Sequence, residues 1–187
     1  MNRRSALLLV LGTALSASAC TTAHYDGRVV AQWASAPYTL ASGDKLRIIV
    51  FGQDTLSNIY AVDGAGRISM PLIGPVQVAG RSTADAAGAI EAKLRAGFLR
   101  EPKVTVEVDS YRPFFVLGEV TNSGQFPFVN GMTVQTAVAI AGGFTPRALR
   151  TSAEITRQTA QGPVSAKVPV TYAVRPGDTI VIGERWF

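Results

Sequence analysis

Few residues in this sequence have the types and the spacing that catalysis or metal binding would need. The chain of 187 residues contains one histidine, His24, and one cysteine, Cys20. His24 lies in a polar N-terminal segment with no acid–base partner, and no Cys/His spacing typical of a metal site is present. The glycine-containing segment 63–66 continues as a strand-like sequence instead of opening a helix, which excludes a phosphate-binding loop. We predict that the protein is not an enzyme and uses no metal or cofactor.

Acidic side chains are the remaining candidates for acid–base chemistry. Those considered for this role lie at predicted turns or strand ends, where a structural hydrogen bond explains a carboxylate better than catalysis does. They are Asp44, Asp63, Asp109, Glu119 and Asp178. We therefore do not expect glycoside hydrolysis, which needs two carboxylates at a fixed separation in one site.

The first nineteen residues are typical of a signal peptide, so we predict that the chain is exported. Arg3 and Arg4 supply the positive end, and the apolar stretch 6–17 is too short to span a bilayer. Ala17-Ser18-Ala19 then directly precedes Cys20. Two interpretations remain open: ordinary signal removal after Ala-x-Ala, and a lipobox-like site at which Cys20 becomes acylated. We favour acylation, because the only cysteine lies at the predicted cut.

Acylation of Cys20 would hold the mature protein on a membrane. Each buried methylene contributes about 0.8 kcal/mol, and more than one acyl chain gives stable anchoring. Thr21 follows the cysteine where some bacterial lipoproteins have aspartate, and the resemblance to lipoproteins implies sorting to the outer membrane. The segment 21–36 is polar and poorly periodic, which indicates a tether that carries His24 as a solvated residue.

Composition indicates a folded protein of one or two small domains. The chain is 47% hydrophobic and 17% charged, which is ordinary for a globular protein. Without Arg3 and Arg4 it has 16 basic and 13 acidic residues, a net charge of +3. This excess is too small to indicate a nucleic-acid-binding protein.

One stretch predicts a strand, a turn, a second strand and a helix in succession. The strands are predicted at 114–117 and 125–129 around a turn at 122–124, with the first strand buried. The helix begins at Thr133, carries apolar residues at three- and four-residue spacing, and ends at Gly142-Gly143. An earlier stretch repeats the plan, with a hairpin of 59–62 and 67–70 around the turn 63–66.

The helix of the earlier stretch is predicted through Leu94. Ser82 and Asp85 are spaced as a capping box at its start, and Ala86, Ile90 and Leu94 share one face. A final segment, 103–108, alternates as a half-buried strand does.

A second internal similarity links the two ends of the chain. Residues 38–48 and 172–182 share the pattern Tyr-x-apolar-x-x-Gly-Asp-x-apolar-x-apolar, in which a Gly-Asp turn leads into an alternating strand. Two copies indicate two related domains, separated near Tyr111-Arg112-Pro113. We predict an α+β protein with a signal peptide at 1–19, a lipidated tether at 20–36, a β-sheet and helix domain at 37–110 and a second small domain at 111–187.

The order of these motifs resembles the signature of the bacterial polysaccharide biosynthesis/export proteins. The motifs from Tyr38 to Thr83 resemble the export domain, and those from Val116 to Gly143 resemble the soluble-ligand-binding β-grasp domain that follows it in that family. The signature residues, to which the resemblance assigns structural roles, are Gly43, Asp44, Asp63, Gly66, Pro71, Gly74, Gly118, Glu119, Gly124, Gly142 and Gly143.

The resemblance implies a component of capsular or exopolysaccharide export that forms a ring-like conduit and is not an enzyme. The implied partners are polysaccharide, further copies of the chain, an inner-membrane polysaccharide copolymerase and outer-membrane lipid reached through acylated Cys20, on the periplasmic side of the outer membrane. Long members of the family end in an amphipathic helix that crosses this membrane. The sequence to Phe187 has no such helix, so we expect a short form that passes polymer to a separate outer-membrane barrel.

A second interpretation stays open beside the conduit. The protein would then be a lipid-anchored module that binds a saccharide or another periplasmic protein without forming a channel. The tandem order of the two domains favours the conduit.

Arginine is the one side chain whose abundance suggests a binding chemistry. The chain has fourteen Arg and four Lys, and a guanidinium group binds a carboxylate through two parallel hydrogen bonds. Since many exported polysaccharides are acidic, Arg67, Arg147 and Arg150 near predicted loops are candidate polymer contacts. A compositional preference for arginine without a functional role is the alternative.

Overall fold

A computed structural model describes residues 27–186, and within that range the chain is an α+β protein with two hydrophobic cores. The α-helices are α1 (Gly27–Ser35), α2 (Thr83–Arg95) and α3 (Val134–Ile140). The strands of the first domain are β1 (Lys45–Val50), β2 (Asn58–Ala61), β3 (Arg67–Met70), β4 (Gly74–Gln77) and β5 (Val104–Ser110). Those of the second are β6 (Phe114–Gly118), β7 (Gly124–Phe126), β8 (Ser152–Thr159), β9 (Gly162–Pro169) and β10 (Thr179–Ile182).

The first domain packs α2 against an antiparallel sheet of order β2-β1-β5. Strand β1 alternates between exposed and buried residues, so that Leu46, Ile48 and Val50 point into the core. A two-stranded β3-β4 sheet adds Ile68 and Val76 to the same core. One face of each element is thereby removed from water, which is the main stabilising contribution.

Helix α2 begins where its sequence predicts. The backbone N–H of Asp85 donates to Ser82 Oγ at 3.1 Å, and the backbone N–H of Ser82 donates to the Asp85 carboxylate at 3.3 Å. This reciprocal pair satisfies two amides that the helix itself leaves without partners. Ala86, Ile90 and Leu94 are fully buried, as their spacing predicts.

The predicted hairpin of 59–62 with 67–70 is wrong. Strand β2 pairs with β1, whereas β3 pairs with β4, in which Ile68 lies opposite Val76. The turn at 63–66 does form, with the Asp63 carboxylate accepting from the backbone N–H of Arg67 at 2.8 Å. After this turn, β3 does not join the first sheet. It pairs with β4, and in the turn between these two strands Leu72 has a φ of 69°. Because β4 contains Gly74 and Pro75, its sequence carries a weak strand signal.

The second domain is a mixed five-stranded sheet of order β7-β6-β10-β8-β9 with α3 in its core. Strand β10 runs parallel to β6 and antiparallel to β8. The last strand of the domain in sequence therefore pairs with the first one. Helix α3 is capped by Thr133 and buries Val134, Ala137 and Val138, which confirms the predicted helix.

Three details of this domain differ from the prediction. The strand predicted at 125–129 is the short β7, Gly124–Phe126. Strand β6 buries only alternate residues, so that Phe115 and Leu117 are exposed while Phe114 and Val116 are buried. The hairpin of β8 and β9 has no counterpart among the predicted elements, although eight residue pairs join its strands.

The segment expected to be an irregular tether contains a helix. Helix α1 packs Val29, Val30 and Trp33 against the core of the second domain, and Tyr172 Oη donates to the Val30 carbonyl at 3.1 Å. Trp33 is only 6% exposed, because the second domain provides the apolar surface that the helix needs. The predicted signal peptide, Cys20 and His24 lie outside the described residues.

The helices of residues 27–186 are all too short or too polar to cross a membrane.

Candidate functional site

The two Gly-Asp turns identified in the sequence have the same geometry. Asp44 Oδ2 accepts from the backbone N–H of Ala41 at 2.9 Å, and Asp178 Oδ2 accepts from that of Arg175 at 2.7 Å. Both carboxylates are fully buried. A buried carboxylate needs further hydrogen-bond donors to compensate for lost hydration, and in both turns an arginine supplies them.

Arg112 supplies the donors for Asp44 and joins the two domains. Its backbone N–H donates to Asp44 Oδ1 at 2.9 Å, and its Nη1 lies 3.3 Å from Asp44 Oδ2. Tyr38 Oη donates to the same carboxylate and accepts from Arg112 Nη1 at 3.1 Å. Burial and the hydrogen bond to Asp44 raise the pKa of Tyr38 well above its ordinary value, so the phenol stays protonated.

Arg157 on β8 supplies the donors for Asp178. Its Nε and Nη2 bind the two carboxylate oxygens at 2.8 and 2.7 Å, a bidentate pair that is almost completely buried. The guanidinium carbon lies 4.5 Å from the centroid of the Trp33 ring, a cation–π contact that ties helix α1 to this site. Arg157 Nη1 is buried and has no hydrogen-bond partner among residues 27–186.

Arg175 adds a third guanidinium group at the same place. Its Nη2 donates to the Ala36 carbonyl, and burial and the positive charge of Arg157 lower its pKa. Arg157 and Arg175 line the same cavity, so their like charges repel each other. A site that concentrates like charges in this way favours an anionic ligand.

A groove runs along the domain junction past these three arginines. It consists of cavities of about 400, 100 and 580 Å³ that share wall residues, and the largest two lie in the size range of ligand sites. Among residues 27–186, no acidic side chain lines any of the three, because Asp44 and Asp178 are buried beneath the surface. We call this the junction groove and define it by Thr39, Arg112, Arg157, Gln158, Arg175 and Gly177.

Two family models match the two domains. The model described as "Polysaccharide biosynthesis/export protein" matches residues 33–109, and the model described as "SLBB domain" matches residues 113–168. The chain belongs to the polysaccharide biosynthesis/export protein family. The resemblance read from the sequence is therefore confirmed, as is the α+β fold with two domains.

Curated relatives of this family are considerably longer than the chain. The "Exopolysaccharide production protein ExoF" of Rhizobium meliloti (strain 1021) is 33% identical over 147 residues, which are 72% of this chain and 32% of the relative. A "Polysialic acid transport protein KpsD" of Escherichia coli is 28% identical over 111 residues, 58% of this chain and 20% of the relative. The match thus spans about a third of the first relative and a fifth of the second.

The family signature residues lie at turns and close contacts. A Cβ at Gly118 would lie 2.1 Å from the Ile182 carbonyl oxygen, and one at Gly66 would lie 2.4 Å from the Cβ of Ala79. The remaining glycines and Pro71 occupy turns or an edge strand, and Glu119 accepts a hydrogen bond from Thr145 Oγ1. Asp44 differs from the others, because it binds Arg112 across the domain junction.

The three predicted polymer contacts lie elsewhere than the junction groove. Arg67 is 3.6 Å from Asp63 in the first domain, and Arg147 forms an exposed ion pair with Glu184 in the second. Arg150 is exposed in the loop before β8. None of the three lines the groove.

The sequence analysis did not identify the arginines of the groove as candidate polymer contacts. Two of them, Arg112 and Arg175, each precede a proline beside a domain boundary or a Gly-Asp turn, a shared pattern that could have drawn attention to them. Arg157 carries no such signal. In the part of the chain that the structure describes, no three His, Cys, Asp or Glu side chains come together in a way that could hold a metal ion.

Proposed function

We propose that this chain is a non-enzymatic component of capsular or exopolysaccharide export. The observation that carries the proposal is the tandem of an export domain and an SLBB domain, joined through the Arg112–Asp44 contact. The names of the relatives, which refer to exopolysaccharide production and polysialic acid transport, support the same role.

Deletion of the gene in its own host tests this proposal. We expect loss of cell-surface and secreted polysaccharide with accumulation, or continued synthesis, inside the cell. A plasmid copy of the wild-type gene restores the polymer outside. Unchanged polysaccharide outside the cell, in a host without a second copy of the gene, would contradict the export role.

We further propose that the chain assembles head to tail into a ring through which the polymer passes. The outer face of the first-domain sheet supports this proposal, because Ile49 and Ile59 are each 48% exposed and Phe51, directly after β1, is 84% exposed. Exposed apolar residues that lie close together mark protein contacts, and a head-to-tail contact closes into a ring when its rotation permits.

Anchoring at Cys20 belongs to the same proposal. An acylated Cys20 would hold the protein on the periplasmic side of the outer membrane, between an inner-membrane polysaccharide copolymerase and a separate outer-membrane barrel. Mass spectrometry of the mature N-terminus tests the anchor, since acyl chains on Cys20 add a defined mass. An unmodified Cys20, or a Cys20→Ser variant that still partitions with membranes, would contradict it.

The alternative function is a lipid-anchored module that binds a saccharide or a periplasmic protein without a conduit. The junction groove favours it, because a binding site needs no ring. The deletion strain distinguishes the two, since a binding module that leaves export intact does not change the amount of polymer outside the cell.

A further inference from the structure

We propose that the junction groove binds the carboxylate groups of an acidic polysaccharide, and that Arg112, Arg157 and Arg175 recognise them. The inference rests on the proposed export function and names the class of polymer that the chain contacts. It assigns polymer binding to residues other than Arg67, Arg147 and Arg150, whose ion pairs or loop positions lie outside the groove.

The charge of the groove is the first observation. Two of the three guanidinium groups, those of Arg112 and Arg157, pair with carboxylates that are fully buried, and the Arg175 guanidinium donates to the Ala36 carbonyl. In the part of the chain that the structure describes, the walls of the three cavities contain no Asp or Glu. The surface that a ligand meets is therefore positive, and low-dielectric walls strengthen its attraction for anions.

Unused hydrogen-bond donors are the second observation. The bonds of the Arg112 side chain to Tyr38 and Asp44 all use Nη1, although a guanidinium group presents five donors. Arg157, whose side chain is about nine-tenths buried, has an Nη1 without a partner among residues 27–186. An unpaired buried donor is costly, and a carboxylate in the groove would supply acceptors beside it.

The shape of the groove distinguishes a polymer from a small ion. Thr39 and Gln158 line all three cavities, which continue into one another along the domain junction. Their neutral polar groups can bind sugar hydroxyls between the charged positions. Trp33 lies beneath Arg157 and is buried, so recognition depends on charge and hydrogen bonding and not on stacking of a sugar on that ring.

Binding by the full chain in detergent tests the inference, with an oligomer of galacturonic acid as the probe. Isothermal titration calorimetry is expected to detect binding that weakens as salt increases, and no binding of a neutral glucose oligomer of equal length. Inorganic phosphate serves as the small-anion probe. Equal affinity for phosphate and the galacturonate oligomer would overturn the assignment to a polymer, and failure of the oligomer to bind would overturn the site.

Gln158→Glu is the sharpest variant, because Gln158 is an exposed residue of β8 in the centre of the groove. It adds a negative charge without removing any arginine contact, and we expect the affinity for the galacturonate oligomer to fall about tenfold. Gln125→Glu is the matched control, since Gln125 is exposed on β7 at the opposite end of the sheet. Equal weakening by both variants would overturn the location of the site.

Arg175→Gln is a second, independent test. We expect it to lower the affinity for the galacturonate oligomer about tenfold. Arg95→Gln, at the exposed end of α2, is its control. Thermal unfolding of every variant reports whether the fold is retained. Arg175→Lys, which keeps the charge but not the bidentate geometry, is expected to lose less affinity than Arg175→Gln. An unchanged affinity in Arg175→Gln would remove this residue from the site and contradict the proposal.

Complementation separates failure of the inference from failure of the proposed function. In the deletion strain, Gln158→Glu is expected to restore less acidic polymer to the cell surface than Gln125→Glu at equal protein levels. If Gln158→Glu restores export fully and the wild-type protein binds no galacturonate, the export role stands and the groove assignment is wrong. If deletion itself leaves the polymer outside the cell unchanged, the export role is wrong.

Discussion

Arg112 Nη1 lies 3.3 Å from Asp44 Oδ2, and this ion pair connects the domain junction to a fully buried carboxylate of the first domain. We expect Arg112→Met to lower the free energy of unfolding by about 1–3 kcal/mol, because Asp44 loses a charged donor while remaining buried. Urea unfolding followed by circular dichroism measures the change.

Arg47→Met is the control for this prediction. Arg47 pairs with Asp109 at 2.8 Å, but the two side chains are 55% and 22% exposed, so we expect a loss below about 1 kcal/mol. Equal losses in the two variants would show that the junction pair adds nothing beyond an ordinary surface pair.

Gly177 restricts where the Arg112 side chain can lie. A Cβ at Gly177 would lie 2.6 Å from Arg112 Nε, whereas one at Gly80 would contact nothing within 4 Å. Both glycines have positive φ, 84° and 80°, so both alanine variants incur the same backbone cost of about 1–2 kcal/mol. We expect Gly177→Ala to destabilise more than Gly80→Ala, as measured by urea unfolding.

A double-mutant cycle identifies the cause of that difference. In an Arg112→Ala background, the extra cost of Gly177→Ala should largely disappear, since the clashing side chain is gone. A cost that persists unchanged would assign the effect to the Gly-Asp turn itself.

The Tyr38 phenol makes the stability of the protein sensitive to alkaline pH. Burial and the hydrogen bond to Asp44 raise its pKa well above the ordinary value of 10.0. Above that pH the unfolded chain loses the phenolic proton while the folded chain keeps it, so the free energy of unfolding falls as pH rises.

Tyr38→Phe tests this contribution. Urea unfolding at several pH values from neutral to above 10 should show a shallower alkaline decline for the variant than for the wild type. Parallel curves for the two proteins would contradict the role assigned to Tyr38.

Trp33 anchors helix α1 to the second domain. It is 6% exposed and lies in the hydrophobic core beside Arg157, so Trp33→Ala should cost about 3–5 kcal/mol in unfolding free energy. Trp186→Ala is the matched control, because Trp186 is 87% exposed and its removal should change stability by less than about 0.5 kcal/mol. Similar small effects in both variants would mean that α1 adds little to the fold.

The exposed sheet face of the first domain is predicted to mediate self-association. A variant with both Ile49→Ser and Ile59→Ser should have a lower mass by light scattering than the wild type, because the apolar contact is lost. Ile140→Ser on α3 is the control, since Ile140 is also 48% exposed. An unchanged mass in the double variant would exclude this face from the assembly contact.

Local features of the fold could be predicted from sequence because their causes lie within a few residues. The capping box of Ser82 and Asp85 spans one helical turn, and the two Gly-Asp turns close over three residues. The order of these motifs was sufficient to recognise the family, because both the motifs and the spacing between them can be read directly from the sequence.

Pairing between distant segments was decided by the tertiary structure. Strand β3 was assigned the wrong partner because β2 and β4 are both close to it in sequence, and packing of Ile68 against the core determines which one it meets. Helix α1 was not predicted, because the surface on which its apolar face packs belongs to the second domain. There Tyr172 donates a hydrogen bond to the carbonyl of Val30, which lies 142 positions away in the sequence.

The junction groove is the clearest example of a feature that depends on contacts between distant segments. The abundance of arginine and the two Gly-Asp turns can be read directly from the amino-acid sequence. Folding places Arg112 beside Asp44 across 68 residues and Arg157 beside Asp178 across 21. The physical reason is that a buried carboxylate requires a charged donor, while the identity of that donor depends on which segments the folded chain places beside it.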